Sequence, residues 1–330
     1  MTTPKYGRTE AKAVAKERLG GMVTAICLPV DGAGAVDEAG LRHDVRYCLE
    51  TLGSSGLYIN GYYSHYWLLT SAERRHTAEI IVDEVAGAVP IICRCASESP
   101  ADAVALAKHA EGLGIDFVSL VPPLFGGPEG VNRELVVGYF KLVADQIDIG
   151  ISLFNIPKIG YTLSPELIAE LAEIPNICAL KNGVPVEHTK EVLALLGDSM
   201  VVTDPNEDRW TEMIKLGQTL FYTGNNQMFD SAASRPLHDM SRAALEGNAD
   251  EAVRIWDELV PVRDVFRRWI RGPWQATNLI PLSAIKYWSG LLGMTGGPVP
   301  APLPQLSQAD RDALRSDLVR VGMVREYAAA

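Results

Sequence analysis

A lysine closes a strand-like run at Ile177-Cys178-Ala179-Leu180-Lys181, and Asn182-Gly183 turn the chain directly after it. An amine in that position can do covalent chemistry. Burial against apolar strands lowers an amine's pKa from its usual value of about 10.4. The neutral amine then attacks a ketone or aldehyde and forms a Schiff base. The protonated imine weakens a neighbouring C–H or C–C bond by accepting its electrons. The plain alternative is a solvated cap at the wet end of a buried strand. Other polar groups fall at comparable places. Asn60 ends an apolar run, Tyr222 lies near the end of another, and Asn225 and Asn226 follow it in a loop. Each fits either a site or ordinary packing.

The elements that carry these residues alternate. Strand patterns fall at 22–30, 56–60, 89–94, 115–123, 149–157, 176–181, 199–204 and 219–224. Helical patterns fall between them. In 37–53, Leu41, Val45, Cys48 and Leu52 share one face. The helix over 70–87 starts with an N-cap at Thr70 or Ser71. Eight such steps in about 220 residues predict a (β/α)₈ TIM barrel, whose reacting groups gather at the C-terminal ends of the strands. A doubly wound sheet competes, but the first strand is not followed by Gly-x-Gly-x-x-Gly. Helices are expected near 232–247, 249–270, 281–294 and 307–323, with a Pro/Gly-rich linker at 296–305. The organisation expected is an N-terminal extension (1–17), the barrel (18–225) and a C-terminal helical region (226–330).

Bulk properties narrow the function class. The chain has 330 residues, and 47% of them are apolar, enough for a large core. The net charge of −11 disfavours unaided binding to nucleic acid or to an acidic membrane. No apolar run is long enough to span a bilayer, and the first residues lack the apolar centre of a secretory signal. Five cysteines in no disulfide-rich pattern suit a reducing compartment, so a cytoplasmic protein is expected. No His/Asp/Glu set has convincing metal-ligand spacing, and no cofactor is expected.

Four segments carry a resemblance: Ala179-Leu180-Lys181-Asn182-Gly183, "FNIPKIG" at 154–160, "INGYYSHYWLLTSAERR" at 59–75 and "LVPPLF" at 120–125. Over residues 18–315 the chain resembles the dihydrodipicolinate synthase/N-acetylneuraminate lyase family of class I aldolases. The resemblance implies a barrel with a C-terminal helical region, a homo-oligomer (tetramer or dimer), and Lys181 as the Schiff-base lysine. It also exposes departures. Where the family has Tyr-Asn-x-Pro, this chain has Phe154-Asn155-Ile156-Pro157, and Phe154 has no hydroxyl to relay protons. Ile159 stands where the family often has an arginine. Gly61-Tyr62-Tyr63-Ser64-His65 replaces Gly-Thr-Thr-Gly-Glu, so Tyr62 or Tyr63 becomes a substitute phenol, as does Tyr222. Gly61 is a candidate carboxylate cradle through its backbone. His65 is a candidate base or a packed histidine. Asn182 replaces the glutamate after the lysine, and Pro122-Pro123-Leu124 replaces a Thr-Pro-Tyr-Tyr segment.

These readings give catalytic candidates Lys181, Tyr62, Tyr63 and Tyr222. The substrate-binding candidates are Asn60, Gly61, His65, Phe154, Asn155, Asn182 and Asn225. Tyr66, Trp67 and Trp210 are candidates for an aromatic-accepting pocket. The expected partner is a small 2-oxo acid. The expected reaction is cleavage of an aryl-substituted 2-oxo acid to pyruvate and an aldehyde, preceded by hydration if the substrate is unsaturated. A dehydratase using the same imine is the alternative, and a non-catalytic barrel is a third reading.

Overall fold

Each short apolar run pairs in parallel with its neighbours, and the resulting sheet wraps around on itself. The structure, a computed structural model, describes residues 6–126, 132–157 and 161–325. The strands are β1 (Gly21–Ala25), β2 (Gly56–Ile59), β3 (Ile91–Arg94), β4 (Phe117–Leu120), β5 (Gly150–Asn155), β6 (Ile177–Asn182), β7 (Val201–Thr203) and β8 (Leu220–Thr223). Their order is β7-β6-β5-β4-β3-β2-β1-β8, every pair parallel. The β7–β8 seam closes through side chains. The Thr203 hydroxyl donates to the Leu220 carbonyl, and the Asp204 N–H donates to the Gln218 side-chain oxygen at 2.6 Å. The protein is thus a (β/α)₈ TIM barrel with a C-terminal helical region.

Several strands stop short of their apolar runs. β1 ends at Ala25, β4 at Leu120 and β5 at Asn155. Pro29, Pro122, Pro123 and Pro157 follow, and a proline has no N–H to give to a ladder. Just beyond the strand ends, Val121, Pro122, Ile156 and Pro157 line the cavities at the mouth.

Helix α1 (Ala11–Arg18) lies beneath the barrel against β5 and β6. The Tyr6 hydroxyl accepts from the Gly150 N–H at 2.8 Å and donates to the Asp116 carbonyl, and Arg18 pairs with the Asp116 carboxylate. The outer ring comprises α2 (Glu38–Arg46), α3 (Ser71–Val85), α4 (Pro100–Gly112), α5 (Arg133–Ala144), α6 (Pro165–Ala172), α7 (Val186–Leu196) and α8 (Trp210–Lys215). Their starts follow sequence: Thr70 and Glu73 form a capping box, and Ser99 and Ser164 cap helices that begin with proline. After β8 come α9 (Asn226–Phe229), α10 (Pro236–Leu245), α11 (Ala249–Glu258), α12 (Val260–Phe266), α13 (Gly272–Thr277), α14 (Leu282–Leu291) and α15 (Gln308–Arg320). An aromatic cluster joins this region to the barrel. Trp256 lies 4.9 Å from Trp210, and Phe229 lies 5.4 Å from Phe266, centroid to centroid. That packing carries Arg271 and Trp274 to the barrel mouth. Among the described residues no helix is long and apolar enough to cross a membrane.

Thr203→Val keeps the shape of the seam and deletes its hydroxyl. It is expected to cost about 1–2 kcal/mol of unfolding free energy, read as a lower denaturant midpoint with an unchanged m-value.

Candidate active site

Strand alternation decides which way each group on β5 and β6 points. Phe154 and Lys181 are register partners and face the barrel interior; Asn155 and Asn182 are the next pair and face the helices. The Lys181 side chain is only 6% exposed. Its Nζ lies 4.1 Å from the centroid of the Tyr222 ring, 4.5 Å from Phe154 and 5.1 Å from Tyr58. No carboxylate balances it among the described residues. Burial is the main force on the amine, and the Arg94 guanidinium adds to it; together they lower its pKa from 10.5 to about 7. The rings attract a cation modestly, but they cannot replace the lost water.

Above the amine lies a cavity of about 350 Å³. Tyr62, Tyr63, Phe154, Asn225 and Trp274 line it together with Lys181. A polar chain runs along one wall. The Tyr63 hydroxyl donates to Asn225 Oδ1 at 3.2 Å, Asn225 Nδ2 lies 3.4 Å from Glu207 Oε2, and Arg271 holds Glu207 with both arms of its fork. Tyr63 therefore has its proton committed to Asn225. Tyr62 is tied instead to a second phenol, Tyr66. Its ring stands edge-on to Phe154 at 6.3 Å and contacts Trp274 at 6.4 Å. Burial raises the pKa of Tyr62, Tyr63 and Tyr222, so all three keep their protons at neutral pH.

The cavity brings together Lys181, Tyr62, Tyr63, Phe154 and Asn225, with Tyr222 against the amine from within the barrel. It does not bring in the other candidates. Asn155 and Asn182 are corrections: they form a buried network on the outer face. Asn155 Nδ2 donates to Asn182 Oδ1 at 3.0 Å, its Oδ1 accepts from the Leu163 N–H at 2.8 Å, and Asn182 Nδ2 donates to Thr189 Oγ1 at 2.9 Å. Asn60 takes a left-handed φ of 55° and donates to the Arg74 carbonyl at 2.8 Å, away from the amine. Gly61 packs against the Tyr58 ring so closely that a Cβ would come within 2.4 Å of it; it serves close packing rather than a cradle on this cavity wall. His65 is fully buried outside the cavity, and burial, aided by Lys286, lowers its pKa to about 4. Trp210 belongs to the core, whereas Tyr66 and Trp67 line a neighbouring cavity. Ile159 lies outside the described residues.

Sequence reading missed four groups. Tyr58 faces inward from β2 and was legible from alternation. Arg94 ends the apolar run of β3 as Lys181 ends that of β6, so the same signal was present. Arg271 and Trp274 come from the helical region after the barrel, and no local pattern points them at the site.

The family model for the dihydrodipicolinate synthetase family matches residues 18–320. The chain belongs to that family. It is 30% identical over 304 residues to a 4-hydroxy-tetrahydrodipicolinate synthase of Methanothrix thermoacetophila, spanning 91% of this chain and 96% of the relative. The solved dihydrodipicolinate synthase of Aquifex aeolicus superposes with a TM-score of 0.80 at 26% identity, covering 93% of this chain and all of that one (100%). A prophage protein of the dihydrodipicolinic acid synthase family from E. coli K12, solved with pyruvate, shares the fold: TM-score 0.78, 20% identity, 92% and 99% coverage. Membership in the dihydrodipicolinate synthetase family makes this chain an enzyme of the class I aldolase type.

The lysine's pKa has consequences of both kinds. An amine of pKa 10.5 is neutral in about one molecule in three thousand at pH 7; one of pKa about 7 is neutral in half. Pyruvate adducts trapped with borohydride are expected to fall along an acid limb centred near pH 7; a limb near 10 would mean a solvated amine. The unfolded lysine stays protonated up to about 10.5 while the folded one releases its proton near 7. The lysine's contribution to stability therefore rises with pH across that window and is lost as pH falls through it. Asn182→Ala breaks a buried network rather than a substrate contact. It is expected to lower stability by about 1–3 kcal/mol while the folded fraction still traps pyruvate on Lys181, by denaturation and intact mass.

Proposed function

We propose that this enzyme cleaves a 2-oxo acid carrying an aryl or other hydrophobic substituent to pyruvate and an aldehyde, through an imine and enamine on Lys181. The observation that carries this reading is a buried amine, its pKa lowered to about 7, facing a cavity walled by Tyr62, Phe154 and Trp274. The walls favour a flat apolar group on the substrate half that leaves.

The chemistry balances with this chain's own groups. The Lys181 amine adds to C2, and the carbonyl oxygen leaves as water. In the iminium that results, the C3–C4 bond breaks toward C3 and its electrons settle on the imine nitrogen. The C4 hydroxyl loses its proton and becomes the aldehyde. An equivalent proton returns to C3 of the enamine, and water releases pyruvate. If the substrate is unsaturated, water first adds across its double bond. A phenol must pass the proton, and Phe154 cannot. Tyr62 fits this task best: it lines the cavity beside Phe154, and its hydrogen-bond neighbour is another phenol, Tyr66, which can replace the proton it gives up, whereas Tyr63 is tied to the Asn225 amide.

Intact mass after pyruvate and borohydride tests the first step, with an expected gain of about 72 Da on Lys181 and none in Lys181→Ala. Two carbon fragments from an aryl-substituted 2-oxo acid would mark cleavage; one dehydrated product would mark the dehydratase alternative. Tyr62→Phe is expected to form the adduct but to turn over about 10²- to 10⁴-fold more slowly. An undiminished rate would move the relay to Tyr222.

A further inference from the structure

A second cation is buried in the barrel, and it has no counter-ion. Arg94 is 2% exposed, and its Nε and Nη1 find no hydrogen-bond partner among the described residues. No carboxylate among those residues forms an ion pair with it; Glu98 stands on the wall of the same cavity as Arg94, but its carboxylate is exposed and accepts from the Leu124 N–H at 3.1 Å. Burial opposes its charge, but a guanidinium does not lose its proton at ordinary pH; a hydrogen bond with Tyr58 and the faces of the Tyr66 and Tyr62 rings favour the cation, and none of them carries a balancing negative charge. A buried guanidinium with no counter-charge is strongly unfavourable, so its retention asks for a partner.

The setting shows what that partner looks like. Arg94 shares a register row with Ser119 and Ser152, one inward row below Phe154 and Lys181. The Ser152 hydroxyl is also buried and without a partner among the described residues, while that of Ser119 meets the Tyr58 and Tyr222 phenols. The guanidinium lies 3.9 Å from the Tyr66 ring centroid and 5.5 Å from that of Tyr62, which hold its plane in place. It lines a cavity of about 490 Å³ whose other walls include Tyr66, Trp67, Val121 and Ile280. This cavity adjoins the Lys181 cavity, and the two share Tyr62 and Asn278 as walls.

We propose that Arg94 is the receptor for a carboxylate on the half of the substrate released as the aldehyde, seated in the aromatic cavity next to the Lys181 cavity. A guanidinium fork binds a carboxylate through two parallel hydrogen bonds. The aromatic walls take the flat body that carries it. The assignment rests on the lyase reading for the covalent end of the substrate. It also supplies a cation from β3 in a chain that has Ile159 where the family often has an arginine.

Benzoate is a suitable probe because it carries the carboxylate and the ring but no ketone, so it cannot form an imine. Its binding is measured by calorimetry to wild type, to Arg94→Met, and to wild type whose Lys181 has been reduced with pyruvate, with benzamide as the neutral comparator. Wild type and the pyruvate-reduced enzyme are expected to bind benzoate, Arg94→Met at least about tenfold more weakly. Benzamide should bind wild type and Arg94→Met alike. Without ligand, Arg94→Met should melt no lower than wild type, because it removes an unpaired buried charge; Arg94→Lys keeps the charge without the fork and should bind benzoate with intermediate affinity. Equal benzoate affinity in wild type and Arg94→Met would overturn the proposal. So would loss of benzoate binding on pyruvate reduction, which would place the 2-oxo acid's own carboxylate on Arg94. Failure to form any adduct at Lys181, with benzoate binding still dependent on Arg94, would sink the lyase reading and leave this anion site standing.

Discussion

The Lys181 amine is held out of water against the rings of Tyr222, Phe154 and Tyr58, and the rest of the site follows from that desolvation. An amine that kept its shell of water would keep its proton and could not attack a carbonyl. The barrel removes the water by putting aromatic side chains from β2, β5 and β8 around one position on β6. Arg94 adds a positive field from β3. Desolvation and a like charge push the same way, so the lysine becomes a nucleophile without a dedicated base beside it.

That solution constrains the proton chemistry. The aromatic surroundings that free the amine also bury the phenols, and burial holds their protons on. Such phenols serve as donors and relays, not as standing bases. Tyr63 is further fixed by the chain through Asn225 and Glu207 to Arg271, which ties the barrel mouth to the segment entering α13. The helical region after the barrel is thus part of the site. Its aromatic cluster against α8 sets where Arg271 and Trp274 come to rest.

The buried side chains of Lys181 and Arg94 differ in kind. Lys181 escapes its unpaired charge by losing a proton. A guanidinium cannot do so at any ordinary pH, and Arg94 keeps its charge against the Tyr66 and Tyr62 rings. One site therefore presents a neutral nucleophile and a permanent cation in adjoining cavities. That pairing suits a substrate with a reactive ketone at one end and an anionic group at the other.

The sequence by itself determined the barrel and the lysine. The strand–helix rhythm survives in the observed elements because strand and helix periods are local properties, and an amine ending an apolar strand is visible in five residues. Prolines shortened the strands, and their positions were also there to be read. The roles of Asn155, Asn182, Asn60 and His65 were not. Whether an asparagine meets a substrate or a helix depends on which face of the strand it occupies and on what packs there, and one step along the pleat separates Lys181 from Asn182. Only the tertiary structure placed Arg94 beside the lysine's field and brought Arg271 and Trp274 over the mouth. Those positions arise from side chains meeting across strands and helices far apart in the chain, and the solvent each one loses is fixed by the assembled packing, not by its neighbours in sequence.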